Sequence, residues 1–127
     1  MYCLDTNIIV EILRGDLTLK SKIEENKEQI FITPITICEL YRGTFGHVHK
    51  DKKVSDVENV IQYFEILDLD LASCKEFGRN YKKLSDSGNM ITEFDLIIAS
   101  IVKTNNLIFV TRDKKHFEGL GIKVEEW

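Results

Sequence analysis

Short apolar runs alternate with longer stretches of helical periodicity along the whole chain, and that alternation leaves few folds open. Residues 2–4 are apolar and stop at Asp5-Thr6-Asn7; Ile8, Ile9, Ile12 and Leu13 then recur at helical spacing until Gly15. Asp16 is placed to cap a second helix ending around residue 28, and residues 29–33, β-branched and aromatic, read as a strand. Pro34 and Thr36 open a helix carrying Ile37, Leu40 and Tyr41 that ends near Gly46. Residues 47–53 are polar and read as an exposed loop, and Val54, Val57, Val60, Ile61 and Phe64 mark the next helix. A strand at 66–69, a helix from Asp70 to about residue 85 and a loop at 86–89 follow. The clearest helix is 92–105: Phe94, Ile97, Ile98, Ile101 and Val102 form its stripe, widened by Leu96 and Ala99, so it should be buried on most sides. Strands are expected at 107–110 and 122–125. Strands alternating with helices predict an α/β fold: a three-layer sandwich with a central, mostly parallel, short-stranded sheet flanked by helices.

At 127 residues there is room for one core, so residues 1–127 are read as a single domain. The balance of 43% hydrophobic and 30% charged residues argues against disorder, and a single proline excludes Pro-rich low complexity. Seventeen basic against 21 acidic residues give a net charge of −4, so the chain as a whole is not a basic nucleic-acid binder. A local cationic patch, or metal ions held by its own acids, can still grip nucleic acid. Cys3, Cys38 and Cys74 are odd in number and lack C-x-x-C spacing, which points to buried, reduced thiols rather than a disulfide framework or zinc knuckle. The start has no basic or long apolar leader, and the apolar stretch at 96–102 is too short for a bilayer; a soluble cytoplasmic protein is expected.

Ligands of parallel α/β sheets bind beyond the carboxyl ends of the strands. Asp5 follows the first strand directly, and Asp113 follows the 107–110 strand after Thr111 and Arg112. Glu39 lies one turn into the helix after the 29–33 strand, and Asp95 lies in the first turn of the buried helix. Four carboxylates from separate segments can thus converge. Like charges held close together raise one another's pKa and cost stability unless a cation sits between them. Oxygen-only ligands suit Mg²⁺ or Mn²⁺, and two such ions can clamp an in-line displacement at phosphorus. Each acid taken alone has a plainer reading. Asp5 can cap a helix, Thr36–Glu39 and Thr92–Asp95 have capping-box spacing, and Asp113 can be a turn residue. The case for a site rests on all four sharing one edge.

These residues resemble the PIN-domain ribonucleases, and within them the VapC toxins of toxin–antitoxin pairs. Leu4-Asp5-Thr6-Asn7 is similar to that family's opening motif. The segment from Ile32 to Leu40, with its Glu39-Leu40 end, resembles the second, and Asp95-Leu96-Ile97-Ile98-Ala99-Ser100 the third. Val110-Thr111-Arg112-Asp113-Lys114-Lys115-His116-Phe117 is similar to the last, with Glu126-Trp127 as a common ending. Each motif is weak alone; the ordered set spanning the chain is specific. The resemblance implies a Mg²⁺- or Mn²⁺-dependent endoribonuclease whose metal cluster and catalytic acids are Asp5, Glu39, Asp95 and Asp113, supported by Thr6, Asn7 and Thr111. It also implies an RNA substrate, a homodimer and a cognate antitoxin that blocks the site. The chain departs from the family just before the third acid, where Glu93 and Phe94 stand in place of a small residue; Glu93 is read as a solvent-facing or capping residue rather than an extra ligand.

An acidic site needs cations nearby to accept an anionic substrate, so Arg14, Arg42, Lys52, Lys53, Arg112, Lys114 and Lys115 are candidate RNA contacts. His47 and His49 have metal-compatible spacing, but no strand pattern surrounds them and they are read as exposed loop. Tyr41, Phe45, Tyr63 and Phe64 are expected in the core or along a groove for a partner helix. Two alternatives remain from the residues. A haloacid-dehalogenase-type phosphatase also begins with Asp after an apolar strand, but needs a second Asp where this chain has Asn7. A non-catalytic RNA- or protein-binding scaffold would use the same acids only as caps.

Overall fold

The sheet is built from runs of two or three residues, so what holds it is alternation across its faces. In β1 (Tyr2–Leu4), Tyr2 and Leu4 point to one side and Cys3 to the other; in β2 (Ile30–Ile32), Ile30 and Ile32 are separated from Phe31 in the same way. Phe109 and Val110 divide likewise in β4 (Ile108–Val110). Each face therefore seeds its own apolar cluster, the first around Leu4, Ile8, Ile9, Ile32, Leu40 and Val110, the second around Cys3, Ile98, Val102, Phe109 and Phe117. The computed structural model describes residues 1–127 throughout.

Five strands and seven α-helices make three layers. Helices α1 (Thr6–Leu13), α2 (Leu17–Asn26), α3 (Pro34–Phe45) and α4 (Lys50–Ile61) supply the first cluster. Helices α6 (Glu93–Thr104) and α7 (Lys114–Phe117) supply the second, and α5 (Leu71–Ser87) packs on α6. Strands β3 (Glu65–Ile66) and β5 (Lys123–Glu125) form the sheet edges. All four pairings are parallel, in the order β3-β2-β1-β4-β5. The chain works outward from β1 to β3, then returns to the other side of β1 as β4. The strand order reverses between β1 and β4, which opens a crevice at their carboxyl ends.

Several expected boundaries change for local reasons. Residues 27–29 form a 3₁₀ turn, so the second strand begins at Ile30, and the expected 66–69 strand is paired only over Glu65–Ile66. The polar 47–53 stretch is not all loop, because α4 starts at Lys50 and Val57 anchors it in the core. Helix α6 is buried along most of its length, but Phe94 in its first turn is 40% exposed and lies outside the stripe assigned to it. Of the thiols only Cys3 is buried; Cys38 and Cys74 are exposed, correcting the expectation for those two. Phe64 is buried as expected, whereas Phe45 and Tyr63 are largely exposed. No helix is long and apolar enough to cross a membrane.

Candidate active site

The switch point between β1 and β4 is where the first acid stands. Asp5 ends β1 and caps α1, its Oδ1 accepting from the Thr6 N–H at 2.8 Å. Its Oδ2 accepts from the Thr111 hydroxyl at 2.6 Å, just beyond β4. The cap reading and the site reading are thus both satisfied, one by each oxygen. Asp5 is only 8% exposed. Burial pushes its carboxyl pKa up and the charges of Glu39 and Asp95 push it further, while the bonds from Thr111 and Thr6 oppose them.

Glu39 arrives from α3. That helix begins at Pro34, whose fixed φ suits the first helical position, and is capped by Thr33, whose hydroxyl accepts from the Thr36 N–H at 3.1 Å. The Thr36–Glu39 capping box therefore does not form. The Glu39 side chain is left to reach across to α1, where Oε1 accepts from the Thr6 hydroxyl at 2.8 Å. Arg42 stands on its other side, 3.6 Å from Oε2.

Asp95 sits in the first turn of α6, whose cap is Thr92. Thr92 Oγ1 accepts from the Asp95 N–H and donates to Asp95 Oδ2 at 2.5 Å. Asp113 is exposed at the N-terminus of α7, with no side-chain cap bond. Its N–H donates to Thr111 Oγ1 at 3.0 Å. Asn7 completes this junction, donating to Thr111 Oγ1 and accepting from the Arg112 N–H, both at 3.2 Å. Thr6, Asn7 and Thr111 thus bond the segments that carry Asp5, Glu39 and Asp113 to one another.

Asp5, Glu39, Asp95 and Asp113 line one cavity of about 440 Å³, together with Thr6, Asn7, Glu11, Arg14 and His116. They share the cavity without closing on a point: no three His, Cys, Asp or Glu side chains are gathered tightly enough to hold one ion. The donor set is nonetheless what a hard divalent cation takes, all carboxylate oxygen, with mutual repulsion that such a cation relieves. Of the candidate RNA contacts, Arg14 lines this cavity and pairs with Glu11 at 2.9 Å. Arg112 pairs with Asp16 at 3.3 Å and Lys52 with Asp56 at 2.9 Å, while Lys53, Lys114 and Lys115 are exposed. Glu93 is exposed and outside the cavity. His47 and His49 face solvent, with His47 Nδ1 accepting from the His49 N–H at 3.1 Å. Sequence reasoning passed over His116 and Glu11 as cavity residues; the signal for His116 was its place three residues after Asp113 in a four-residue helix.

A second groove, of about 690 Å³, runs between α1, α2 and α4. Ile12, Leu13, Ile23, Val60, Tyr63 and Phe64 line it together with the charged Lys20, Lys27, Lys52, Glu24 and Asp56.

A family model described as PIN domain matches residues 2–122. Ribonuclease VapC2 of Haemophilus influenzae is 29% identical over 128 residues, covering 99% of this chain and 97% of that protein. The tRNA(fMet)-specific endonuclease VapC of Shigella flexneri is 25% identical over 128 residues, with 99% and 97% covered. Among solved structures, DNA-bound VapBC from Salmonella typhimurium superimposes with a TM-score of 0.94 at 26% identity, covering 99% of this chain and 97% of that one.

Proposed function

The chain belongs to the PIN-domain family, and from that premise we propose that it is a divalent-metal-dependent endoribonuclease, the toxin of a toxin–antitoxin pair. The observation that carries this reading is the convergence of Asp5, Glu39, Asp95 and Asp113, from four separate segments, on one cavity at the strand switch point. In this reading these acids hold Mg²⁺ or Mn²⁺. The bound metal supplies an activated water and offsets the charge that develops at phosphorus. The protein's own groups do the rest. Thr6 and Thr111 each donate to one carboxylate oxygen, which limits the rotamers of Glu39 and Asp5. Asn7 ties the Asp113 segment to α1. Arg14 and Arg42, beside the acids, would bring the phosphate backbone to an otherwise repulsive mouth, with Lys114 and Lys115 on α7 extending that surface.

Asn7 also disfavours the phosphatase alternative. Its amide is occupied in bonding Thr111 and Arg112, and it is not the second acid that chemistry requires.

The partner reading follows from the second groove. A lining of apolar residues beside charges of both signs suits an amphipathic helix, which supports a cognate antitoxin as its occupant. We further propose a homodimer, to be checked by sedimentation.

Total cellular RNA, with tRNA as the first class to resolve, is incubated with the purified protein in Mg²⁺, in Mn²⁺ and in chelator, beside Asp95→Asn. Cleavage at few sites, lost in chelator and reduced by at least about 100-fold in the variant, is expected from several kcal/mol of lost barrier reduction. Equal cleavage by a folded Asp95→Asn protein overturns the assignment.

A further inference from the structure

Asp95 Oδ2 is held from two directions. Thr92 donates to it from the cap of its own helix at 2.5 Å, and His116 Nε2 lies 2.9 Å from the same oxygen. An ionised carboxylate can only accept, so Nε2 carries the proton and the ring donates. Both bonds fall on Oδ2, and neither reaches Oδ1. Two donors from different elements define the rotation of the carboxylate, which one donor would leave free.

His116 is itself fixed. Its ring meets the Phe117 ring edge-on at 5.1 Å, and Phe117 packs on Phe109 of β4 with centroids 4.6 Å apart. Phe117 is 2% exposed and belongs to the second apolar cluster, so the imidazole is braced by the core. It also lies on the helix that Asp113 begins, and its own N–H donates to the Asp113 carbonyl at 3.1 Å. One side chain thus links the acid of α6 to the segment carrying the acid of α7.

We propose that His116 is a positioning residue, which orients the Asp95 carboxylate toward the cavity and so sets its affinity for divalent cations. This rests on the metal-dependent reading above. Donors behind a ligating group typically change metal affinity by about 10- to 100-fold when removed. Binding of Mn²⁺ alone to the full-length protein is measured by calorimetry and by electron paramagnetic resonance, for wild type, Asp95→Asn, His116→Ala and His116→Gln.

The expected result is about 10-fold or more weaker Mn²⁺ binding by His116→Ala, with an unchanged circular dichroism spectrum. His116→Gln, which keeps an N–H donor, should recover most of the loss, and added imidazole should partly rescue His116→Ala. RNA cleavage by His116→Ala should return toward wild type as Mn²⁺ is raised. If His116→Ala binds Mn²⁺ like wild type while Asp95→Asn does not, this proposal fails and the acid-site reading survives. If wild type binds no divalent ion, both fail together. A nitrogen coupling in the wild-type Mn²⁺ spin-echo spectrum that vanishes in His116→Ala would make the imidazole a ligand, and would equally overturn the positioning role.

Discussion

Asp5 divides its work between its two oxygens, one bonded by the Thr6 N–H and one by the Thr111 hydroxyl. Its environment still disfavours charge, because burial and the nearby Glu39 and Asp95 carboxylates outweigh those bonds. The folded pKa is raised, so in the pH window above the ordinary aspartate value of about 4 the folded state binds more protons than the unfolded one. The contribution of Asp5 to metal-free stability therefore falls as pH rises through that window. In chelator, the melting temperature of Asp5→Asn relative to wild type should climb as the pH rises above about 4. A difference that stays flat, or declines, would contradict the strain assigned to this acid. Thr111 is fully buried, donates to Asp5 and accepts from Asn7 and Asp113. Replacing it by Val should cost about 1–3 kcal/mol in urea denaturation, because buried polar groups lose their partner. At this scale the sequence was readable for identity and not for partnership. Asp5, Asp95 and Asp113 could be singled out because each follows a strand or opens a helix, and Glu39 because it lies one turn into the helix after a strand. That Thr6 bonds Glu39, 33 residues away, depends on how α1 and α3 pack.

At the level of elements, α5 places polar groups among the residues it buries. Its buried positions are Ser73, Glu76 and Asn80, while Leu71 and Tyr81 face outward. Glu76 is held by Lys103 of α6 at 2.6 Å and by Arg79 on its own helix. The Lys103 bond is the main cause that lowers the Glu76 pKa. A depressed carboxylate contributes stability above its unfolded value, about 4.3, and loses it as pH falls through the lower folded value. Lys103 is partly exposed, so screening keeps the contribution small. Lys103→Met should destabilise by about 1 kcal/mol at neutral pH, and the deficit should shrink as the pH drops below about 4. An acid-independent deficit in thermal melts would assign the loss to packing instead. Periodicity located α5 and α6 to within a few residues, but not this seam. Hydrophobic spacing reports apolar positions such as Leu84, and says nothing of the buried Ser73, Glu76 and Asn80 beside them.

Across the whole molecule, alternating strand residues feed two apolar clusters on opposite faces of one sheet. We propose that residues 1–127 behave as one cooperative domain. Phe109→Ala, at a fully buried ring, should cost about 3–5 kcal/mol and move a single calorimetric transition rather than split it. The groove and the acid cavity occupy different surfaces, with no lining residue in common. Ile23→Glu combined with Val60→Glu should therefore abolish capture of the cognate antitoxin, read by co-purification, while RNA cleavage stays near wild type. Loss of cleavage without loss of capture would reverse that division. The sequence by itself determined the α/β class, the order of strands and helices along the chain, and the four acids after strands and in the early turns of helices. All of these follow from local periodicity and from the turn and cap chemistry of adjacent residues. Only the tertiary structure decided the reversal of strand order between β1 and β4, the shared cavity, and the Thr6–Glu39, Thr111–Asp5 and His116–Asp95 bonds. Those depend on which residues far apart in the chain become neighbours, and packing across a sheet sets that where local preference cannot.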